Sequence, residues 1–209
     1  MQNKVVLAGA GTMGASLAQV YAQAGWDTVL YNRSASGLER AKDLIELNQE
    51  TFVKEEILSE EESKTLLARI KMTTEKADFT DAALVVESIV EKLDAKQEFW
   101  GEISQLAPED ALLATNTSGL HITDIAKACK HPERFMGQHW LNPPHLLPLC
   151  EIIAGEKTSP ENVQKMRSLV QSLGKQPVVV ADINGFIINR IQFAVLREAL
   201  HIVDIGAAT

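Results

Sequence analysis

His139 and Glu151, twelve residues apart, are the pair in this 209-residue chain best suited to move a proton. An imidazole ordinarily titrates near pH 6.5, so it can take up and return a proton close to neutrality. A carboxylate bonded to its second ring nitrogen would fix the tautomer and stabilise the imidazolium that forms. Ser118, in Asn116-Thr117-Ser118-Gly119, and Asn189, in Gly185-Phe186-Ile187-Ile188-Asn189-Arg190, add polar groups for a reacting oxygen. Near the start of the chain, Gly9-Ala10-Gly11-Thr12-Met13-Gly14 has the G-x-G-x-x-G spacing. There Gly9 permits a tight turn, Gly11 lets the backbone approach a pyrophosphate, and Gly14 lets a helix pack closely on a strand. Thr12 and Met13 would open that helix, whose free N–H groups present partial positive charge to a phosphate. The chemistry on offer is dinucleotide binding beside a proton-transfer group.

These groups need a scaffold, and the apolar pattern describes one. Val5-Val6-Leu7-Ala8 is a continuous apolar run ending in glycine, the mark of a strand buried on both faces. Met13, Leu17, Val20 and Tyr21 recur at helical spacing over 12–24, until Gly25 stops them. Thr28-Val29-Leu30-Tyr31 reads as a second strand, with a polar helix from about Leu38. Strand, glycine turn, helix and strand make one right-handed βαβ unit of a parallel sheet. Further strands are expected at 83–86, 112–114, 135–137, 149–153 and 177–181, with helices near 92–106, 119–128 and 160–173. This alternation predicts an α/β fold, a Rossmann-type doubly wound sheet over residues 1–182 with helices on both faces. His139, Ser118 and Asn189 then fall at or near strand ends and helix starts, where open α/β sheets place ligands.

Two stretches depart from the alternation. Residues 46–64, with Glu55-Glu56 and Glu60-Glu61-Glu62, read as a solvated helical excursion. Past the turn Asn184-Gly185, the run from Phe186 to Leu200 is apolar on most of a helix's circumference and needs cover on several sides. Residues 183–209 are therefore expected to be the first helix of an all-α C-terminal domain, cut short, or a helix that pairs with a second subunit.

Composition narrows the partners. A chain 45% apolar and 23% charged is globular rather than disordered, and its net charge of −8 opposes the basic stripe that nucleic acid requires. Cys129 and Cys150 are too far apart for a close-spaced zinc or redox motif, and too few for a disulfide framework. No run approaches 18 apolar residues, and Met1-Gln2-Asn3-Lys4 leads straight into a strand-like run. A cytoplasmic protein with a small-molecule substrate is expected, with no metal site and neither nucleic acid nor membrane as partner.

An acidic residue usually closes the second strand of a dinucleotide-binding unit, accepting the ribose hydroxyls and repelling a 2′-phosphate. Here Tyr31 is followed by Asn32-Arg33-Ser34. Asn32 can still hydrogen-bond a ribose, while Arg33 and Ser34 could hold a phosphate. Arg33 also fits the plainer description of an exposed charge at a helix start. NAD is the expected cofactor, and these three residues leave NADP open.

Taken in order and at their separations, the motifs resemble the L-3-hydroxyacyl-CoA dehydrogenase family over essentially the whole chain. They are the glycine turn, Val85-Val86-Glu87 through Lys96, Asn116-Thr117-Ser118, Gly137-Gln138-His139-Trp140-Leu141-Asn142-Pro143 with Glu151, and Gly185 to Arg190. The resemblance implies that His139 is the general base, paired with Glu151, and that Ser118 and Asn189 touch the reacting hydroxyl or carbonyl. It also implies that Glu91, Lys96, Asn116 and Asn142 lie near the nicotinamide end of the cofactor. The implied reaction is reversible oxidation of a 3-hydroxyacyl-CoA to the 3-ketoacyl-CoA in fatty acid metabolism, by a homodimer. The residue types agree: a secondary alcohol gives up a hydride to the cofactor and a proton to a base.

The chain also differs from the family pattern. Lys54 and Lys64 are the sole cations in residues 46–64, where relatives usually meet the coenzyme A phosphates with basic side chains. Asn142-Pro143-Pro144-His145-Leu146-Leu147-Pro148-Leu149 is similar to relatives that oxidise free hydroxy acids, the gulonate (lambda-crystallin) and carnitine dehydrogenases. A free 3-hydroxy acid is thus a second substrate class. A third reading is a cofactor-binding domain without turnover, because the family's helical domain closes the cleft and is largely missing here.

Overall fold

A computed structural model describes residues 3–209. In chain order its elements are β1 (Lys4–Ala8), α1 (Thr12–Gln23), β2 (Asp27–Tyr31), α2 (Ala35–Lys54), α3 (Glu60–Ala68), β3 (Ile70–Thr73), β4 (Leu84–Glu87) and α4 (Leu93–Leu106). They continue with β5 (Leu112–Thr115), α5 (Ile122–Ala126), β6 (Phe135–Trp140), β7 (Leu149–Ala154), α6 (Pro160–Ser172), β8 (Gln176–Ala181) and α7 (Ile188–Asp204). One sheet runs β3-β2-β1-β4-β5-β6-β7-β8. The first six strands in that order are parallel, β7 is antiparallel to β6, and β8 is parallel to β7. This is a Rossmann-type α/β sheet carrying a reversed pair of strands at one edge.

The two-sided burial of the central strands explains their continuous apolar runs. In β1, Val5 and Leu7 join the core beneath α1, α2 and α6, while Val6 and Ala8 join the core beneath α4 and α5. Alternation across the pleat therefore divides one run between two cores. Leu84 and Val86 against Val85, and Leu112 and Ala114 against Leu113, repeat the division in β4 and β5.

Three features differ from the sequence reading. The strand expected at 135–137 continues to Trp140, and residues 141–148 are too few for a crossover helix, so the chain turns straight back and β7 runs antiparallel. The edge strand β3 has no apolar run to announce it, because Lys71 and Thr73 interrupt Ile70 and Met72. The polar helix α2 starts at Ala35 and absorbs the first half of the 46–64 segment. Its far end is pinned by a buried relay in which Gln49 Nε2 donates to Gln19 Oε1 (2.8 Å) and Ser63 Oγ donates to Gln49 Oε1 (3.0 Å). A capping box between Ser59 and Glu62 then starts α3.

The chain leaves β8 through Asp182, whose carboxylate accepts the Ile122 and Thr123 N–H groups at the start of α5 (2.9 and 2.8 Å). Phe186 turns into the core, but no residue of α7 is buried, and Ile191, Phe193, Val195, Leu196 and Leu200 are exposed. Among the described residues, no helix is long and apolar enough to cross a membrane.

The turn between β1 and α1 tolerates no side chain at two of its glycines. A Cβ on Gly9, which has φ +107°, would lie 2.5 Å from Ser88 O, and one on Gly14 would lie 1.8 Å from Gly9 O. Alanine at position 14 gains at most about 1 kcal/mol of helix propensity, whereas overpacking against backbone costs about 1–3 kcal/mol or more. Gly14→Ala is therefore expected to lower the thermal midpoint by several degrees. An unchanged midpoint in differential scanning calorimetry would refute the contact.

Candidate active site

His139 and Glu151 face each other across the β6–β7 pair, in direct register. Their twelve-residue separation is thus the signature of a strand reversal. Side chains directly opposite in such a pair share a face of the sheet. Here His139 Nδ1 lies 2.7 Å from Glu151 Oε2, with the two residues 3% and 1% exposed. The other carboxylate oxygen, Oε1, accepts the N–H groups of Ile187 (2.9 Å) and Ile188 (3.1 Å). The start of α7 has no cap from its own side chains, so Glu151 caps it from β7. Burial pushes the Glu151 carboxyl pKa up, but the His139 bond and the two backbone N–H groups outweigh it and hold it below the ordinary carboxylate value. An ionised carboxylate can only accept, so the proton of a neutral His139 sits on Nδ1 and leaves Nε2 as the basic nitrogen.

A cleft of about 390 Å³ opens beside this pair, lined by Met13, Asn116, Ser118, His139, Asn142 and Asn189 among others. Asn116 spends its amide on structure: Nδ2 donates to Ser88 Oγ (3.2 Å) and Oδ1 accepts from Trp140 N (2.9 Å), bracing the ends of β4 and β6. Asn189, in the first turn of α7, donates to Ser118 O (2.7 Å). Ser118 N donates to Glu91 Oε1 (2.8 Å), which also accepts the Thr117 hydroxyl. Burial would raise the Glu91 pKa, but the Thr117 hydroxyl, the Lys96 ammonium and the Ser118 N–H outweigh it and lower it.

Lys96 lies 3.3 Å from Glu91 Oε2 but is itself fully buried, bonded to Glu87. Glu87 in turn accepts from Ile89 N (2.8 Å), Thr115 Oγ1 (2.8 Å) and Trp100 Nε1 (3.2 Å). Glu91 is half-exposed and reaches the cleft wall only through Ser118 N, and neither Glu91 nor Lys96 lines either cavity. Sequence reasoning missed Glu87 and Thr117 as site residues, although a lone acid ending the run Leu84-Val85-Val86 was an available signal. It also missed Phe186, whose ring centroid lies 5.4 Å from that of His139.

A second cavity, also about 390 Å³, lies on the other side of the glycine turn and is lined by Gly9, Gly11, Asn32, Arg33, Lys76 and Ser88 among others. The residues present fit a dinucleotide. A Cβ on Gly11 would meet nothing within 4 Å, so this glycine faces open space. The first turn of α1 has neither a side-chain cap nor an acidic residue, and its N–H groups are free for an anion. Asn32 Nδ2 donates to Ser34 O (3.0 Å) and Ser34 Oγ (3.2 Å), leaving Oδ1 as an acceptor of the kind a ribose hydroxyl needs. Arg33 is exposed, and Lys76, which the sequence did not single out, is paired with Glu102 at 2.6 Å.

Comparison with known proteins shows the family to which the chain belongs. Residues 4–183 match the family described as 3-hydroxyacyl-CoA dehydrogenase, NAD binding domain. A probable 3-hydroxybutyryl-CoA dehydrogenase of Deinococcus radiodurans is 38% identical over 200 residues, covering 96% of this chain and 72% of that protein. The 5-formyl-3-hydroxy-2-methylpyridine 4-carboxylate 5-dehydrogenase of Mesorhizobium japonicum is 35% identical over 99% of this chain and 66% of its own length. The crystal structure of (S)-3-hydroxybutyryl-CoA dehydrogenase from Ralstonia eutropha superposes with a TM-score of 0.95 at 31% identity, covering all of this chain and 74% of that one. The chain thus spans between 66% and 74% of the length of these three relatives.

Two outcomes follow from the geometry. Gly11→Ala places a methyl group in the open space of the turn, and is expected to weaken NAD binding about tenfold or more while the thermal midpoint stays near wild type. Unaltered affinity by isothermal titration calorimetry would count against that cradle. Folding lowers the Glu151 pKa, so its ionised form stabilises the protein above the unfolded carboxylate range near pH 4.3, and this stability is lost as pH falls through the lower folded value. Glu151→Gln should accordingly be less stable than wild type at neutral pH, with the difference closing as acid carries the solution below the ordinary carboxylate range. A difference that persists undiminished under acid in denaturant titrations would contradict the assignment.

Proposed function

We propose that this chain, which belongs to the 3-hydroxyacyl-CoA dehydrogenase family, interconverts a 3-hydroxyacyl-CoA and its 3-ketoacyl-CoA with NAD. The observation that carries the proposal is the buried His139–Glu151 pair beside a cleft that also holds Ser118 and Asn189, next to the glycine turn. NAD, when bound, takes up the hydride of the alcohol carbon or returns one to the ketone. The substrate hydroxyl proton passes to His139 Nε2 while Glu151 stays ionised and balances the imidazolium. In the reducing direction the imidazolium returns that proton to the oxygen. Ser118 and Asn189 hold the oxygen where charge develops, and the Glu91 carboxylate keeps the Ser118 backbone in place. On this reading residues 1–182 are the cofactor-binding part, 183–209 open a C-terminal helical part, and the protein is a cytoplasmic homodimer; the exposed apolar residues of α7 support the dimer.

A free carboxylic acid substrate is a second reading, supported by two observations. The first turn of α3 carries Glu60, Glu61 and Glu62, whose charges would oppose coenzyme A phosphates placed there, and the relative from Mesorhizobium japonicum is named for a pyridine carboxylate. Steady-state assays with acetoacetyl-CoA and with free 3-hydroxy acids separate the two. Turnover of the thioester is expected, and His139→Gln should lower kcat by about 10²–10⁴-fold while NAD binding persists. Turnover of free acids alone would overturn the thioester assignment, and an active His139→Gln variant would overturn the base.

A further inference from the structure

Phe186 has no proton to give, yet its backbone adopts φ +46°, in the left-handed region that side chains rarely occupy. Gly185 before it has φ +74°. Two left-handed residues in succession swing the chain inward after β8, and Phe186 N donates to Ile183 O (3.0 Å) to close the turn. The ring ends 1% exposed, tilted 54° to the His139 imidazole at a centroid distance of 5.4 Å. The same turn aims the N–H groups of Ile187 and Ile188 at Glu151 Oε1 and brings Asn189 to Ser118 O. No residue of α7 is buried, so that helix is held only at its start, where it touches the site.

We infer that Phe186 is a positioning residue: its buried ring seats the first turn of α7 and shields the Nδ1 side of His139, so that the His139–Glu151 pair keeps one geometry. The inference rests on the reading of His139 as the proton carrier. Without the ring, water reaches the Nδ1–H···carboxylate bond and the imidazole gains freedom to tilt. A displacement of about 1 Å in a reacting group can cost about 10²-fold in rate. The cavity of the cofactor cradle, lined by the β1–α1 and β2–α2 turns, Lys76, the segment after β4 and α4, includes none of these residues and should be indifferent to the change.

The test compares Phe186→Ala and Phe186→Leu with the wild-type protein and with Glu151→Gln. Three quantities are read: NAD affinity, the far-downfield proton resonance of the hydrogen-bonded imidazole, and kcat against KM. Phe186→Ala should bind NAD as wild type does, lose the resonance to exchange with solvent, and drop kcat about tenfold or more with KM for NAD unchanged. Phe186→Leu should fall between the two, and it carries the test alone if the alanine variant does not fold. A variant that binds NAD normally and keeps both the resonance and kcat overturns the role of Phe186. If the resonance is absent from wild type, or survives in Glu151→Gln, the His139–Glu151 pair itself is wrong and the inference falls with it.

Discussion

Glu151 carries a charge that the fold has taken out of water, and the rest of the site is arranged around that fact. An unpaired buried carboxylate would be severely destabilising, so both oxygens must be satisfied. Oε2 meets His139 across the β6–β7 register, and Oε1 meets the N–H groups of Ile187 and Ile188 at the start of α7. One side chain thus joins two consecutive strands to a helix start 36 residues further along the chain. Its charge also determines which nitrogen of His139 is left free. The proposed proton chemistry and the seating of α7 both depend on the same buried anion.

A second buried acid, Glu87, organises the support of the segment that carries Ser118. It is held by Thr115, Trp100 and the Ile89 N–H, and it neutralises Lys96, which then reaches Glu91. Glu91 takes the Thr117 hydroxyl and the Ser118 N–H. The loop after β5 is therefore gripped from β4 and α4 on one side and, through Asn189, from α7 on the other. The ends of β4, β5 and β6 are braced against one another by Glu87, Thr115 and Asn116, which lets a rigid sheet hold the loops around one cleft with little play.

The cofactor side depends on absence of bulk more than on charge. Gly9 and Gly14 are required by backbone contacts inside the turn, whereas Gly11 faces open space. Asn32 stands where such units usually carry an acid. Its orientation is set by Ser34 and by Gly37, where a Cβ would lie 2.1 Å from Asn32 Nδ2. The amide presents an acceptor without a negative charge, so this position offers a ribose contact without repelling a phosphate.

Much of this protein was legible in its residues alone. Continuous apolar runs identify strands covered on both sides, helical spacing identifies α1 and α6, and the glycine spacing identifies the cradle, because each of these signals is local. The motifs that resemble the dehydrogenase family named the chemistry as well. The reversal at β6–β7, the edge strand β3, the sinking of Lys96 beneath Glu91 and the left-handed Phe186 were not legible. Those features depend on which segments meet: strand direction follows from the length of a connection, and the fate of a charge follows from the partners that surround it. Sequence by itself determined the residue types and the secondary structure that carries them. Tertiary structure decided that Glu151 would be shared between an imidazole and a helix terminus, because only packing brings distant groups within reach of a single carboxylate.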